Sequence, residues 1–119
     1  MRSNVNILGT TYKIEVRKKE EDKYLEENDM GGYCSENGKT IVILDIRDIP
    51  EHVLNDEEKI EAMKAVLRHE IIHAFLNESG LSVCANTWGG AWAKNEEMVD
   101  WFAIQSPKIF EAFEYVECL

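Results

Sequence analysis

Residues 65–75 read AVLRHEIIHAF, and this stretch contains the pattern H-E-x-x-H at His69, Glu70 and His73. On a helix, residues four apart lie one above the other on the same face. Both imidazoles can therefore reach one metal ion. Glu70, about 100° further round the helix, can touch a water at that ion without being a ligand. Two of the three histidines in the chain stand at this spacing around a glutamate, which predicts a metal site with Glu70 in a catalytic role.

An aliphatic stripe runs along the same predicted helix, roughly opposite the two histidines. Its members are Ile60, Met63, Leu67, Ile71 and Ala74. A third strip, formed by Glu61, Lys64 and Arg68, is interpreted as the solvent edge. The alternative is a pair of ordinary histidines satisfied by hydrogen bonds, but it leaves the charge of Glu70 beside an apolar region without a purpose. We therefore favour the metal site.

Size and charge limit the classes of protein to which the chain can belong. Its 119 residues, 45% apolar and 30% charged, predict one globular domain spanning 1–119. The net charge of −10 argues against direct binding of nucleic acid, whose phosphates would be repelled, and is compatible with a basic protein partner. No apolar run could span a bilayer and the N-terminus lacks the apolar core of a signal peptide, so we expect a cytoplasmic protein without membrane contact.

The cysteines agree with that expectation. Cys34, Cys84 and Cys118 are odd in number and widely spaced, which favours reduced thiols over a disulfide framework.

The N-terminal half is predicted to form a small, mostly antiparallel sheet. A short, mainly apolar stretch at 4–8 and a clear alternation of apolar and polar residues at 11–18 indicate two strands. Asn37-Gly38, between 31–36 and 39–44, predicts a hairpin with a type I′ turn. Residues 39–44 are apolar on both faces, so this strand should be central. The intervening residues 20–30 read as a solvated loop or a short exposed helix.

The C-terminal half is predicted to be helical. Asn55 and Glu58 form a capping box that starts the long helix, which runs to about Ser79 with Gly80 as its left-handed stop. Residues 80–93 read as a loop that flanks a cleft, or alternatively as one whose tryptophans, Trp88 and Trp92, are core.

Two further helices are expected after that loop. The first covers about 94–105, where Ser106-Pro107 ends or kinks it. The second is amphipathic, with Ile109, Phe110, Phe113 and Val116 on its apolar face. The fold class is therefore α+β, a sheet packed on one long helix with two shorter helices following.

A catalytic zinc needs a third protein ligand, and Glu96 is the best candidate. Glu96 and Asp100 share a face of the next helix, and Asp100 could accept the second N–H of His69 to fix its tautomer. Glu97 is the rival ligand, ranked lower because only Glu96 is correctly spaced from Asp100. The competing interpretation is an acidic first turn that complements the helix dipole.

The H-E-x-x-H pattern followed by Glu96-x-x-x-Asp100 resembles the gluzincin arrangement of zinc peptidases. The run from Glu96 to Ala103 is similar to the E-x-E-A-N/D-x-F-A helix of the ImmA/IrrE metallopeptidases, with Met98 in place of the second glutamate. That resemblance, which covers residues 55–107, implies a minimal zincin-like domain. Members of the family occur in bacteria, their mobile elements and phages, and they inactivate DNA-binding repressors by cleavage.

The resemblance implies a Zn²⁺-dependent hydrolase in which His69, His73 and Glu96 are metal ligands, Glu70 is the general base and Asp100 supports His69. The donor that stabilises the tetrahedral oxyanion stays open among His52, Tyr33 and Tyr115, and for His52 a structural or solvent-exposed role is favoured.

An edge strand of the sheet could hold an extended protein or peptide substrate. Two other functions stay open: a zinc-bearing module that binds a phage or prophage regulator without cutting it, and a structural zinc domain.

Overall fold

The computed structural model describes residues 1–83 and 92–118. In that part of the chain the architecture is α+β, as predicted, with one mixed sheet and three α-helices. The strands are β1 (Asn4–Ile7), β2 (Thr10–Arg17), β3 (Gly32–Ser35) and β4 (Thr40–Leu44), and the helices are α1 (Lys23–Asn28), α2 (Asp56–Glu78) and α3 (Glu96–Tyr115). Short 3₁₀ turns occur at Lys19–Glu21, Leu81–Val83 and Trp92–Lys94.

The sheet has the strand order β1-β2-β4-β3, so β4 is central and β3 lies at one edge. The β1–β2 and β3–β4 pairs are antiparallel, whereas β2 and β4 are parallel. The central position explains why Ile41, Val42 and Ile43 are all buried, as their two-sided apolar pattern predicted.

The predicted type I′ turn at Asn37-Gly38 is wrong. Ser35 pairs with Thr40, which leaves a four-residue connection rather than a two-residue one. The left-handed residue is Lys39, with φ of 48°. The hydroxyl of Ser35 accepts a hydrogen bond from the backbone N–H of Gly38 at 3.1 Å, and this local bond stabilises the longer turn.

The hydrophobic core lies between the sheet and α2. Ile7 and Tyr12 from the first two strands are fully buried, as are Met63 and Ala74 from the helix. The aliphatic stripe predicted on α2 is confirmed over most of its length, because Leu67 and Ile71 also pack against this core. Ile60, at the N-terminal end of the stripe, is 39% exposed.

Helix α2 begins and ends with the predicted caps. The side chain of Asn55 accepts from the N–H of Glu58 at 2.9 Å, and the Glu58 carboxylate accepts from the N–H of Asn55 at 2.8 Å. After Ser79 the chain turns through Gly80 in a left-handed conformation, with φ of 78°.

The two separate C-terminal helices predicted from the sequence are wrong, since α3 runs without interruption from Glu96 to Tyr115 and contains Pro107 in its interior. Proline removes one backbone N–H donor from a helix. The hydroxyl of Ser106 donates to the carbonyl of Phe102 and provides an additional local bond next to that gap. Phe110 and Val116, from the expected apolar face, are exposed.

Most of the predicted loop 80–93 lies outside the described residues, including Cys84 and Trp88. Trp92 is described and is 59% exposed, so the interpretation of this residue as core is wrong. Within 1–83 and 92–118, no helix combines the length and apolar character needed to cross a bilayer.

Candidate metal centre

The sequence-predicted site residues come together where α2 and α3 meet. His69 and His73 lie one turn apart on α2, and Glu96 is the first residue of α3. Asn95 caps α3 through a bond from the N–H of Met98 at 2.8 Å, so the local sequence determines where this helix starts. Packing of α3 on α2 then places Glu96 opposite the two imidazoles.

Three donor atoms converge at the centre of the site. The Nε2 atoms of His69 and His73 are 3.0 Å apart. Oε2 of Glu96 lies 3.0 Å from Nε2 of His69 and 3.4 Å from Nε2 of His73. The Glu96 side chain therefore reaches both rings.

These separations fit a zinc ion. Around a tetrahedral zinc with bonds of about 2.1 Å, neighbouring ligand atoms lie about 3.4 Å apart. The three observed distances, between 3.0 and 3.4 Å, fall close to that value. Two imidazole nitrogens and one carboxylate are also a donor set found in catalytic zinc sites, which leave the fourth position open. The residues present thus fit the metal that the motif implies.

Asp100 supports His69 from the second turn of α3. Its Oδ1 lies 2.6 Å from Nδ1 of His69. A carboxylate only accepts hydrogen bonds, so the ring donates its Nδ1–H to Asp100 and Nε2 carries the lone pair. This tautomer directs the free lone pair of His69 towards the point where the donor atoms converge.

Glu70 lies beside this centre and is almost completely buried, at 6% exposure. The closest ligand atoms of His69, Glu70 and His73 are all within 4.8 Å of one another. The pKa of Glu70 is raised to about 7, mainly by burial, while His69 lowers it and the charge of Glu96 raises it. Burial also lowers the pKa of His73, which favours the neutral imidazole that a metal requires.

The rival ligand Glu97 is placed elsewhere. It is exposed and lines a shallow surface groove with Met98 and Trp101. The structure brings Glu96, rather than its neighbour, to the histidines.

The three candidates for an oxyanion donor are used differently. Nδ1 of His52 accepts from the N–H of Leu54 at 3.1 Å, which is the structural role favoured from the sequence. Tyr115 is 87% exposed at the end of α3. Tyr33 lines the groove beside the histidines, but its hydroxyl donates to Asp22 at 2.7 Å. Tyr33 is therefore the candidate nearest the site, but its hydroxyl already donates its hydrogen bond to Asp22.

Cys34 also lines this groove, on the edge strand β3. Burial raises the pKa of its thiol to about 12, with further contributions from Glu70 and Glu36. The thiol is therefore protonated near neutral pH, which disfavours it as a metal ligand.

Two grooves meet at His69 and Glu70. One has a volume of about 330 Å³ and passes Tyr33, Cys34 and Lys94. The other, of about 460 Å³, passes Val66 and Arg68 on α2 and Ala103 on α3. A substrate could thus extend to both sides of the site.

The position of Arg68 differs from the one predicted from the helical pattern. It was predicted at the solvent edge, yet it is half-buried and its Nε is completely covered. Helical spacing shows only which residues share a face, whereas burial depends on what packs over that face, so no local signal identifies Arg68.

Comparison of the whole chain with models of known protein families, with curated proteins and with solved structures finds no match. What the chain does must therefore be inferred from the chemistry of these side chains.

Proposed function

We propose that the chain is a small zinc-dependent endopeptidase that hydrolyses a peptide bond in a protein substrate. The observation that supports this most directly is the convergence of His69, His73 and Glu96 donor atoms beside the buried carboxyl of Glu70. The three converging side chains would hold Zn²⁺, and Asp100 would keep the His69 ring in its orientation.

When bound, zinc would lower the pKa of a water molecule and polarise the substrate carbonyl. Glu70 accepts a proton from the attacking water, and its pKa of about 7 suits that role near neutral pH. The water oxygen forms a bond to the carbonyl carbon, the C–N bond breaks, and Glu70 delivers the proton to the leaving amine. Burial keeps this carboxyl away from bulk water.

The edge strand β3 supplies a surface for an extended substrate. Among the described residues it pairs with β4 alone, and Gly32, Tyr33 and Cys34 line the groove that leads to the histidines. An unpaired strand edge offers backbone donors and acceptors to a peptide that adds as a further strand. Strand addition would place a substrate backbone alongside the site.

The resemblance to ImmA/IrrE proteins suggests a DNA-binding repressor of a phage or prophage as the substrate. The net charge of −10 favours a basic regulator of this kind, because opposite charges accelerate encounter. The cytoplasm is the compartment in which such a substrate would be met.

Substitution Glu70→Gln tests the proposal. It keeps the shape of the side chain and removes the base, so we expect stoichiometric zinc and a cleavage rate lowered by about 10²–10⁴-fold. Zinc is measured by mass spectrometry, and cleavage by the new peptide termini that appear in a proteome-derived peptide library. Glu97→Gln is the matched control and should cleave like the native protein.

The same variants separate the two alternatives. The chain would be a binding module if the native protein binds zinc with an open coordination position but cuts no peptide. In that case the Glu70→Gln variant would still exert the cellular effect of the native protein. A site with four protein ligands would instead be structural. Native protein without stoichiometric zinc, together with a melting temperature unchanged in His69→Ala, would contradict every metal-based function.

A further inference from the structure

The larger of the two grooves has one charged side chain that the proposed chemistry does not use. Its walls are mainly apolar and include Met30, Val66, Ala103 and Ile104, and one end opens on His69 and Glu70. Arg68 lies along this groove. An arginine in an apolar groove requires an explanation, because covering a guanidinium costs free energy unless its donors are paired.

Arg68 lacks such a partner in the part of the chain that the structure describes. Its Nε is fully covered and donates no hydrogen bond there. Glu61, two turns earlier on α2, instead pairs with Lys64 at 2.8 Å. The chain has 23 acidic and 13 basic residues, so carboxylates are plentiful and an unpaired arginine is unexpected.

The other charged groups facing the groove are already engaged. Asp100 accepts from His69 at 2.6 Å. Glu70 is buried at the inner end of the groove beside the two histidines. Arg68 is therefore the guanidinium that lines the groove without a partner among the described residues. Only its Nε is covered, and the terminal nitrogens of its planar fork suit a carboxylate that enters the groove.

We propose that this groove is a specificity subsite in which Arg68 binds a carboxylate of the substrate while an adjacent apolar substrate residue contacts Val66, Ala103 and Ile104. The inference rests on the proposed function, since a substrate subsite presupposes a peptide crossing the site. The carboxylate belongs either to an aspartate or glutamate side chain or to the C-terminus of the substrate. The subsite thus determines which position of the substrate binds at the site, whereas the net charge of the protein affects how fast protein and substrate meet.

Binding is tested on the ¹⁵N-labelled, zinc-loaded protein with two probes, 4-phenylbutyrate and its uncharged amide. The Nε–Hε resonance of Arg68 reports changes in the surroundings of its guanidinium group. We expect the carboxylate to shift this resonance and to bind about tenfold more tightly than the amide. Arg68→Gln should make the two affinities equal, and Arg68→Lys should retain part of the difference. Lys23→Gln, which removes one exposed charge, should change neither affinity.

Two results overturn the proposal. One is equal affinity of the acid and the amide for the native protein. The other is a preference for the acid that survives Arg68→Gln, which would assign the anion to the metal. The native Nε–Hε signal decides the outcome even if a variant fails to fold.

Cleavage identifies the source of the carboxylate. Quenched peptides are compared in matched pairs, with internal Glu against Gln and with a free against an amidated C-terminus. We expect about a tenfold higher kcat/KM for the carboxylate-bearing member of one pair, and the opposite preference within that pair in Arg68→Glu. Equal kcat/KM in both pairs overturns the proposal.

The two proposals fail in different ways. If no peptide is cut but the carboxylate preference at Arg68 holds, the peptidase function fails and the anion site stands. If peptides are cut without any such preference, the subsite fails and the peptidase stands.

Discussion

Glu70 shows how one residue can acquire its properties from its surroundings. The residue is 6% exposed, and its carboxyl lies within 4.8 Å of the ligand atoms of His69 and His73. Burial disfavours the charged form, and the pKa rises to about 7. The position of the glutamate could be predicted from H-E-x-x-H, but the degree of burial depends on residues from other elements.

The raised pKa of Glu70 has a measurable effect on stability. The carboxyl ionises near pH 4.5 in the unfolded chain and near pH 7 in the folded one. Between these values the folded state binds more protons, so the free energy of unfolding falls as the pH rises. We expect metal-free native protein to lose on the order of 3 kcal/mol relative to Glu70→Gln between pH 4.5 and 7.

Urea unfolding of the two proteins in chelator, at several pH values, measures this difference. His73 titrates in both proteins, and its contribution cancels to first order in the comparison. Parallel pH profiles for the native protein and Glu70→Gln would show that the carboxyl is not destabilised by burial.

Asp100 is the second residue whose role can be isolated. It holds the Nδ1–H of His69 at 2.6 Å, which orients the ring and its free lone pair. Asp100→Asn should therefore weaken zinc binding by about 10–100-fold while the fold is retained. Competition with a chromophoric chelator measures the affinity, with Glu97→Gln as control. An affinity equal to that of the native protein would mean that the hydrogen bond does not support the metal.

At the scale of elements, the close approach of β3 to α2 brings the edge strand to the site. A Cβ on Gly32 would lie 2.7 Å from the carbonyl oxygen of Val42 and 2.8 Å from a methyl group of Val66. The first of these neighbours is backbone of the central strand, which cannot move aside cheaply. Only glycine permits this spacing between strand and helix.

Gly32→Ala should accordingly lower the free energy of unfolding by about 1–3 kcal/mol, the usual range for overpacking. Gly31→Ala is the matched control, because its nearest new contact is a Val66 methyl group at 3.3 Å, so its effect should be smaller. Equilibrium unfolding in urea compares the two. Adding Val66→Ala to Gly32→Ala should recover only part of the loss, since the contact with the Val42 carbonyl remains.

At the scale of the whole molecule, the site joins two helices that are far apart in the sequence. His69 and Glu96 are 27 positions apart and touch only because α3 packs against α2. A metal that bridges them would stabilise this packing, since binding to the folded state alone adds to stability.

Removal of the metal should therefore lower the melting temperature. With free zinc at about 1,000 times the dissociation constant, binding to the folded state adds about 4 kcal/mol. Calorimetry with zinc and with chelator measures the change. His69→Ala should abolish the response to zinc, whereas His52→Ala should leave it intact, because His52 bonds locally to Leu54. A zinc response that survives His69→Ala would place the metal elsewhere.

Short-range patterns in the sequence determined several of the elements and which side chains share a face. The capping box at Asn55, the i, i+4 spacing of the histidines and the two-sided apolar run of β4 each depend on residues close together in the chain. Local sterics and hydrogen bonds decide such features, so the sequence predicts them without knowledge of the fold.

Tertiary structure decided what depends on packing between distant segments. Helix α3 continues through Pro107, and its packing on α2 places Glu96 rather than Glu97 at the histidines. The Nε of Arg68 is covered, although the helical pattern predicted this residue at the solvent edge. Distances across an interface and the burial of a charge depend on which surfaces meet, and periodicity within one helix contains no information about its neighbour.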